Sequence, residues 1–115
     1  MSTADDWVKR LRWLKGEVKT PPFSHQARRE AGLLMRRLQV GEMLGMPHSR
    51  PMPSIGPRCH ELRVRDGAHN WRLIYRIDAT LIVIVEVFAK TSPKTPQVVI
   101  EHCKSRLRRY DGGDQ

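Results

Sequence analysis

The chain has 115 residues, 39% hydrophobic and 29% charged, with 21 Lys plus Arg against 12 Asp plus Glu for a net charge of +9. That is one domain's length, enough to bury its own core, and the composition excludes wholesale disorder. The longest apolar run, residues 81–85, is five long, against the ~20 a membrane-spanning helix needs.

Residues 1–6 are polar and acidic, which predicts a frayed terminus rather than a secretory signal. Residues 7–14 alternate loosely between apolar and basic side chains, predicting a short strand with Leu11 and Trp13 on one face. Pro21 and Pro22 stop it, and Ser24 offers an N-cap oxygen. Ala27, Ala31, Leu34 and Leu38 then recur at the spacing of an amphipathic helix, expected to reach Leu44, with Gly41 a candidate break. Residues 46–57 hold Pro47, Pro51, Pro53 and Pro57, each of which fixes φ and removes an amide donor. An ordered surface connection, neither helix nor central strand, is expected there.

A β-meander follows. Leu62 and Val64 alternate with Glu61, Arg63 and Arg65, and residues 67–70 suit a turn. Trp71, Leu73, Tyr75 and Ile77 share one face; Arg72, Ile74 and Arg76 share the other. Residues 81–88 are apolar on both faces except at Glu86, which predicts an interior strand. Thr95 as N-cap and Pro96 at the first helical position open a last helix. Its apolar face takes Val99 or Ile100, Cys103, Leu107 and Tyr110, and Gly112 and Gly113 end it.

The expected architecture is one α+β domain over residues 1–115, with 1–6 and 112–115 flexible. Its small antiparallel sheet comprises the three-strand meander plus an N-terminal strand, with both helices on one face and the arginines on the other. Cys59 and Cys103 make neither a metal pattern nor a disulfide framework. A soluble, reduced, cytoplasmic protein without metal, cofactor or membrane attachment is expected. Fifteen of the basic residues are Arg, whose planar fork meets phosphate at two points, so a polyanionic partner, RNA or DNA first, is expected.

Five strings carry a resemblance. They are Leu44-Gly45-Met46-Pro47, Cys59-His60-Glu61-Leu62-Arg63-Val64-Arg65, Trp71-Arg72-Leu73-Ile74-Tyr75-Arg76-Ile77, Glu86-Val87-Phe88-Ala89-Lys90-Thr91 and Lys94-Thr95-Pro96. Together they resemble the RelE/ParE superfamily of bacterial toxins over about residues 13–111, closest to its HigB-like branch, often described as phage-derived. The resemblance implies a RelE-like fold and the toxin of a type II toxin–antitoxin pair. HigB-like and RelE-like members are mRNA interferases: ribosome-dependent endoribonucleases that cut messenger RNA in the small-subunit decoding site. ParE-like members instead poison DNA gyrase without RNA chemistry. The usual partner of the HigB-like branch is a helix-turn-helix antitoxin, through which alone operator DNA would be reached.

Metal-independent RNA cleavage uses the neighbouring 2′-hydroxyl as nucleophile and builds negative charge on a phosphorane, which preorganised cations stabilise. The resemblance makes Arg72 the first choice for that cation, Arg63 its partner one hairpin earlier, and Lys90 and Lys94 further catalytic cations. Arg65, Lys104, Arg108 and Arg109 are assigned to phosphate or ribosomal-RNA docking. RelE-like enzymes carry a tyrosine in the last helix region; here Val98 or Val99 stands there. Glu86, His102 and Tyr110 are the remaining acid/base candidates, although Glu86 also suits an arginine partner and His102 a plain helix surface. Tyr75 belongs to the core face. The missing tyrosine keeps two alternatives open: a ParE-like inhibitor, and an inactivated relative acting as an antitoxin-binding or DNA-binding regulator.

Overall fold

The computed structural model describes residues 8–67 and 69–113. The expected frayed start at 1–6, the turn residue Ala68 and the last two residues of the expected flexible tail lie outside them. Seven elements follow in order: β1 (Arg10–Trp13), α1 (His25–Gln39), β2 (Ser49–Pro51), β3 (Cys59–Asp66), β4 (His69–Ile77), β5 (Leu81–Ala89) and α2 (Gln97–Asp111). The strands form one five-stranded sheet in the order β1-β5-β4-β3-β2.

The meander is as expected, with β3, β4 and β5 antiparallel in sequence. The sheet as a whole corrects the expectation of a four-stranded antiparallel one. β1 runs parallel to β5, and the proline-rich connection contributes the short β2. β2 tolerates Pro51 because it is an edge strand, where a missing amide donor leaves no ladder bond unmade.

The two helices cover opposite faces, not one. Leu62, Val64, Trp71, Leu73, Tyr75, Ile82 and Ile84 pack with Phe23 and the Ala27, Ala31, Leu34, Met35 and Leu38 stripe of α1. Cys59, Ile74, Val83 and Val85 pack with Ile100, Cys103 and Leu107 of α2. The central strands are apolar on both sides, so each side needs its own cover. Val85 is the extra residue of a bulge opposite Ile74 and Tyr75, and the adjacent Glu86 meets Arg106 of α2 at 3.7 Å.

Ser24 caps α1 as expected, its Oγ accepting from the Ala27 amide at 3.0 Å. The helix ends at Gln39 instead of Leu44 because Gly41, at φ +92°, takes the chain out in a left-handed turn that favours glycine. At α2 the cap is Pro96, which supplies no side-chain hydrogen bond, and Thr95 spends its hydroxyl elsewhere. One further glycine is obligatory: Gly16 has φ +88°, and a Cβ there would fall 2.8 Å from Val87 Cβ.

Candidate functional site

Side-chain alternation puts Glu61, Arg63 and Arg65 on the α2 face of β3, and Arg72, Ile74 and Arg76 on the α2 face of β4. The hairpin register pairs Arg63 with Arg72 and Arg65 with Asn70, and the Lys90 amide donates to the Asn70 carbonyl at 2.7 Å. Adjacent rows therefore present cations from β3, from β4 and from Lys90, the residue that follows β5. They line an open cleft of about 1100 Å³, walled by Met46 and Pro47 on one side and Thr91, Ser92 and Pro93 on the other. Arg63, Arg65, Arg72 and Lys90 all reach it, and Glu30 of α1 is the one carboxylate among its described lining residues. Arg63 Nη1 rests 3.3 Å from Met46 Sδ.

Beneath the cleft lies Glu61, with 0% of its surface exposed. Thr95 Oγ1 donates to its Oε2 at 2.6 Å, and Arg50 Nε donates to Oε1 at 3.1 Å. Arg72 Nε and Lys90 Nζ stand 3.4 and 3.5 Å from the same Oε1. Burial pushes the Glu61 carboxyl up, but the Thr95 hydroxyl, Lys90 and Arg50 outweigh it and hold the group below the ordinary carboxylate range. Burial also lowers the Lys90 ammonium, only partly opposed by Glu61, with Arg50 and Arg72 pushing the same way as burial.

Arg72 is 7% exposed. Its Nη1 donates to the Trp71 carbonyl at 3.0 Å, yet its buried Nε makes no hydrogen bond among the described residues. Burial, then the nearby Arg63 charge, lower this guanidinium from its usual value. That Nε faces the buried Glu61 carboxylate at 3.4 Å, while the guanidinium lines the cleft beside Arg63.

The other sequence-derived candidates scatter. Lys94 is exposed on the connection before α2 and does not line the cleft. Lys104 and Arg108 flank a smaller cavity of about 250 Å³ with Arg58 and Arg76, at the opposite end of the α2 face, while Arg109 is exposed on the last turn of α2. Tyr110 packs beside Arg76, its ring centroid 5.9 Å from that guanidinium. Arg76 lies four residues along the strand from Arg72, roughly 13 Å away. Glu86 is engaged by Arg106, and His102 is exposed on α2. Tyr75 is buried, its hydroxyl 2.7 Å from Ser49 Oγ. Glu30, Arg50, Glu61 and Thr95 were not legible as site residues. Glu61 looks like any polar position of an alternating strand, and Thr95 reads as a helix cap. Among the described residues no cluster of three or more His, Cys, Asp or Glu forms a metal-ligand set, and no helix is long and apolar enough to cross a membrane.

A family model described as Phage derived protein Gp49-like (DUF891) matches residues 21–108, which span α1 through most of α2 and every cation of the cleft. The chain belongs to this Gp49-like family. No curated protein matches the chain significantly. The Gp49-like family is a RelE-type, toxin-like family, and membership suggests a toxin of a toxin–antitoxin system with an antitoxin as partner.

Proposed function

We propose that this Gp49-like protein is a HigB-like toxin: a ribosome-dependent endoribonuclease that cuts messenger RNA by 2′-hydroxyl attack. The observation that supports it most is the convergence of Arg63, Arg72 and Lys90 in one cleft. A scissile phosphodiester set there would meet guanidinium groups from β3 and β4 together. As the 2′-oxygen attacks, charge grows on the non-bridging oxygens, and Arg72 and Arg63 stabilise the phosphorane more than the ground-state diester. Lys90 donates a proton to the departing 5′-oxygen; an ammonium lowered by burial gives that proton up more readily. Glu30, the carboxylate of the cleft lining, takes the proton of the 2′-hydroxyl. The products are a 2′,3′-cyclic phosphate and a free 5′-hydroxyl. Arg65 sits beside these groups and adds affinity for the flanking backbone. The ribosome supplies the in-line alignment of nucleophile and leaving group, whose worth is entropic.

The test is inducible expression with transcript 5′-end mapping, run for wild type and Arg72→Ala. Cuts at codon positions that vanish in the variant are the expected result. Growth arrest with every message intact would overturn the proposal, and DNA damage in that case would favour a gyrase-directed toxin. Copurification of a helix-turn-helix antitoxin is expected from co-expression of the neighbouring reading frame.

A further inference from the structure

A fully buried carboxylate is an expensive choice for a strand position whose neighbours Leu62 and Val64 are plain core. Glu61 sits there with partners from four separate segments: Arg50 on β2, Arg72 on β4, Lys90 just after β5, and Thr95 before α2. Three of these are cations crowding one oxygen, Oε1, at 3.1, 3.4 and 3.5 Å. Without the carboxylate between them, their mutual repulsion would splay Arg72 and Lys90 apart. Thr95 holds the second oxygen, which stops the carboxylate from turning.

We propose that Glu61 is the positioning residue of the cleft, one buried carboxylate that sets the spacing of Arg72 and Lys90 for a single phosphodiester. This rests on the cleavage function proposed above. Glu61 touches no substrate, because it is sealed from solvent and all its contacts are inward. Its second effect is on charge. Three cations against one carboxylate leave an excess of two positive charges, which suits the doubly charged phosphorane better than the singly charged diester. Its third is on Lys90: as the nearest negative charge, it keeps the ammonium protonated against the pull of burial.

The experiment is single-turnover cleavage of a programmed ribosome across pH, comparing wild type, Glu61→Gln, Lys90→Met, the double variant and Arg72→Ala. Glu61→Gln keeps the shape and removes the charge. Its rate is expected to fall roughly 10- to 100-fold, the scale of lost second-layer support. Its high-pH limb is expected to move about one unit lower, because Lys90 loses the charge that favours its protonated form. In the Lys90→Met background the same change should shift no limb. A wild-type rate and profile in Glu61→Gln, with Arg72→Ala inactive, overturns the positioning role and leaves the cleavage function standing. Intact message with wild-type protein overturns both. Thr95→Val is the companion variant should Glu61→Gln fail to fold: it frees Oε2 but keeps the charge. A several-fold slower rate with an unmoved limb supports the role, and a wild-type rate overturns it.

Discussion

Arg72 and Arg76 lie four residues apart on the same face of the same strand, and their surroundings differ in kind. Arg76 is saturated. Its Nε and Nη2 donate to Asp78 at 2.8 and 2.9 Å, and its Nη1 and Nη2 donate to Asp111 at 2.9 and 2.8 Å. The hydrogen bonds to Asp111, then those to Asp78, raise its pKa. Arg72 shares the single carboxylate of Glu61 with Arg50 and Lys90, keeps an unused Nε, and has its pKa lowered by burial. The difference is the number of carboxylates per cation. Two carboxylates on Arg76, with Asp78 also reached by Arg58 at 3.5 Å, make a strut that ties β4 to the end of α2; one carboxylate among three cations leaves positive charge uncompensated beneath the cleft.

That contrast can be broken by exchanging the losses. Arg72→Ala should lower message cutting by roughly 10²- to 10³-fold, the scale of a removed transition-state donor. Its unfolding midpoint should fall less than that of Arg76→Ala, because Arg50, Lys90 and Thr95 still hold Glu61. Glu30→Gln should cost about 10² in rate if it accepts the 2′-hydroxyl proton, with binding to the ribosome unchanged. Arg76→Ala should do the converse. It should destabilise the fold by about 2 kcal/mol in urea unfolding, a moderate figure because Asp111 is half exposed, and leave the rate per folded molecule intact. A cleavage defect in stable Arg76→Ala protein would erase the distinction between the two ends.

Smaller effects sharpen it. Inorganic phosphate at ten times its dissociation constant should stabilise the protein by about 1.4 kcal/mol. Arg72→Ala should abolish that stabilisation, and Arg76→Ala should retain it. The smallest effect is on acid unfolding. The folded pKa of Glu61 is depressed, so its contribution is fully present above the ordinary carboxylate range and is lost as pH falls through the folded value. Glu61→Gln should therefore flatten the fall of unfolding free energy below roughly pH 5. An equally steep fall in the variant would assign that acid sensitivity to other carboxylates.

The pieces legible along the chain were those set by neighbours. Ser24 as cap, the stripe from Ala27 to Leu38, and the alternation through β3 and β4 depend on residues one to four positions away, and all appear in the fold. Strand parity put Arg63 and Arg72 on one face once the hairpin register held. The expectation that Arg72 and Lys90 are catalytic cations came from family resemblance rather than periodicity, and Lys94, placed beside them by the same likeness, falls outside the cleft. Local pattern misjudged the end of α1, where five more residues were compatible with helix and a glycine turn ended it.

Pairings between distant segments had no local trace. That β1 lies parallel to β5, that α1 and α2 take opposite faces, and that Thr95, 34 residues away, bonds Glu61 all follow from how separate elements bury their apolar sides together. The amino-acid order sufficed for which segments are helix or strand and for a strongly basic surface, because propensity and charge are properties of residues and their near neighbours. Whether a given cation is satisfied or spare was settled in three dimensions, because it depends on how many carboxylates the folded chain brings within reach of it.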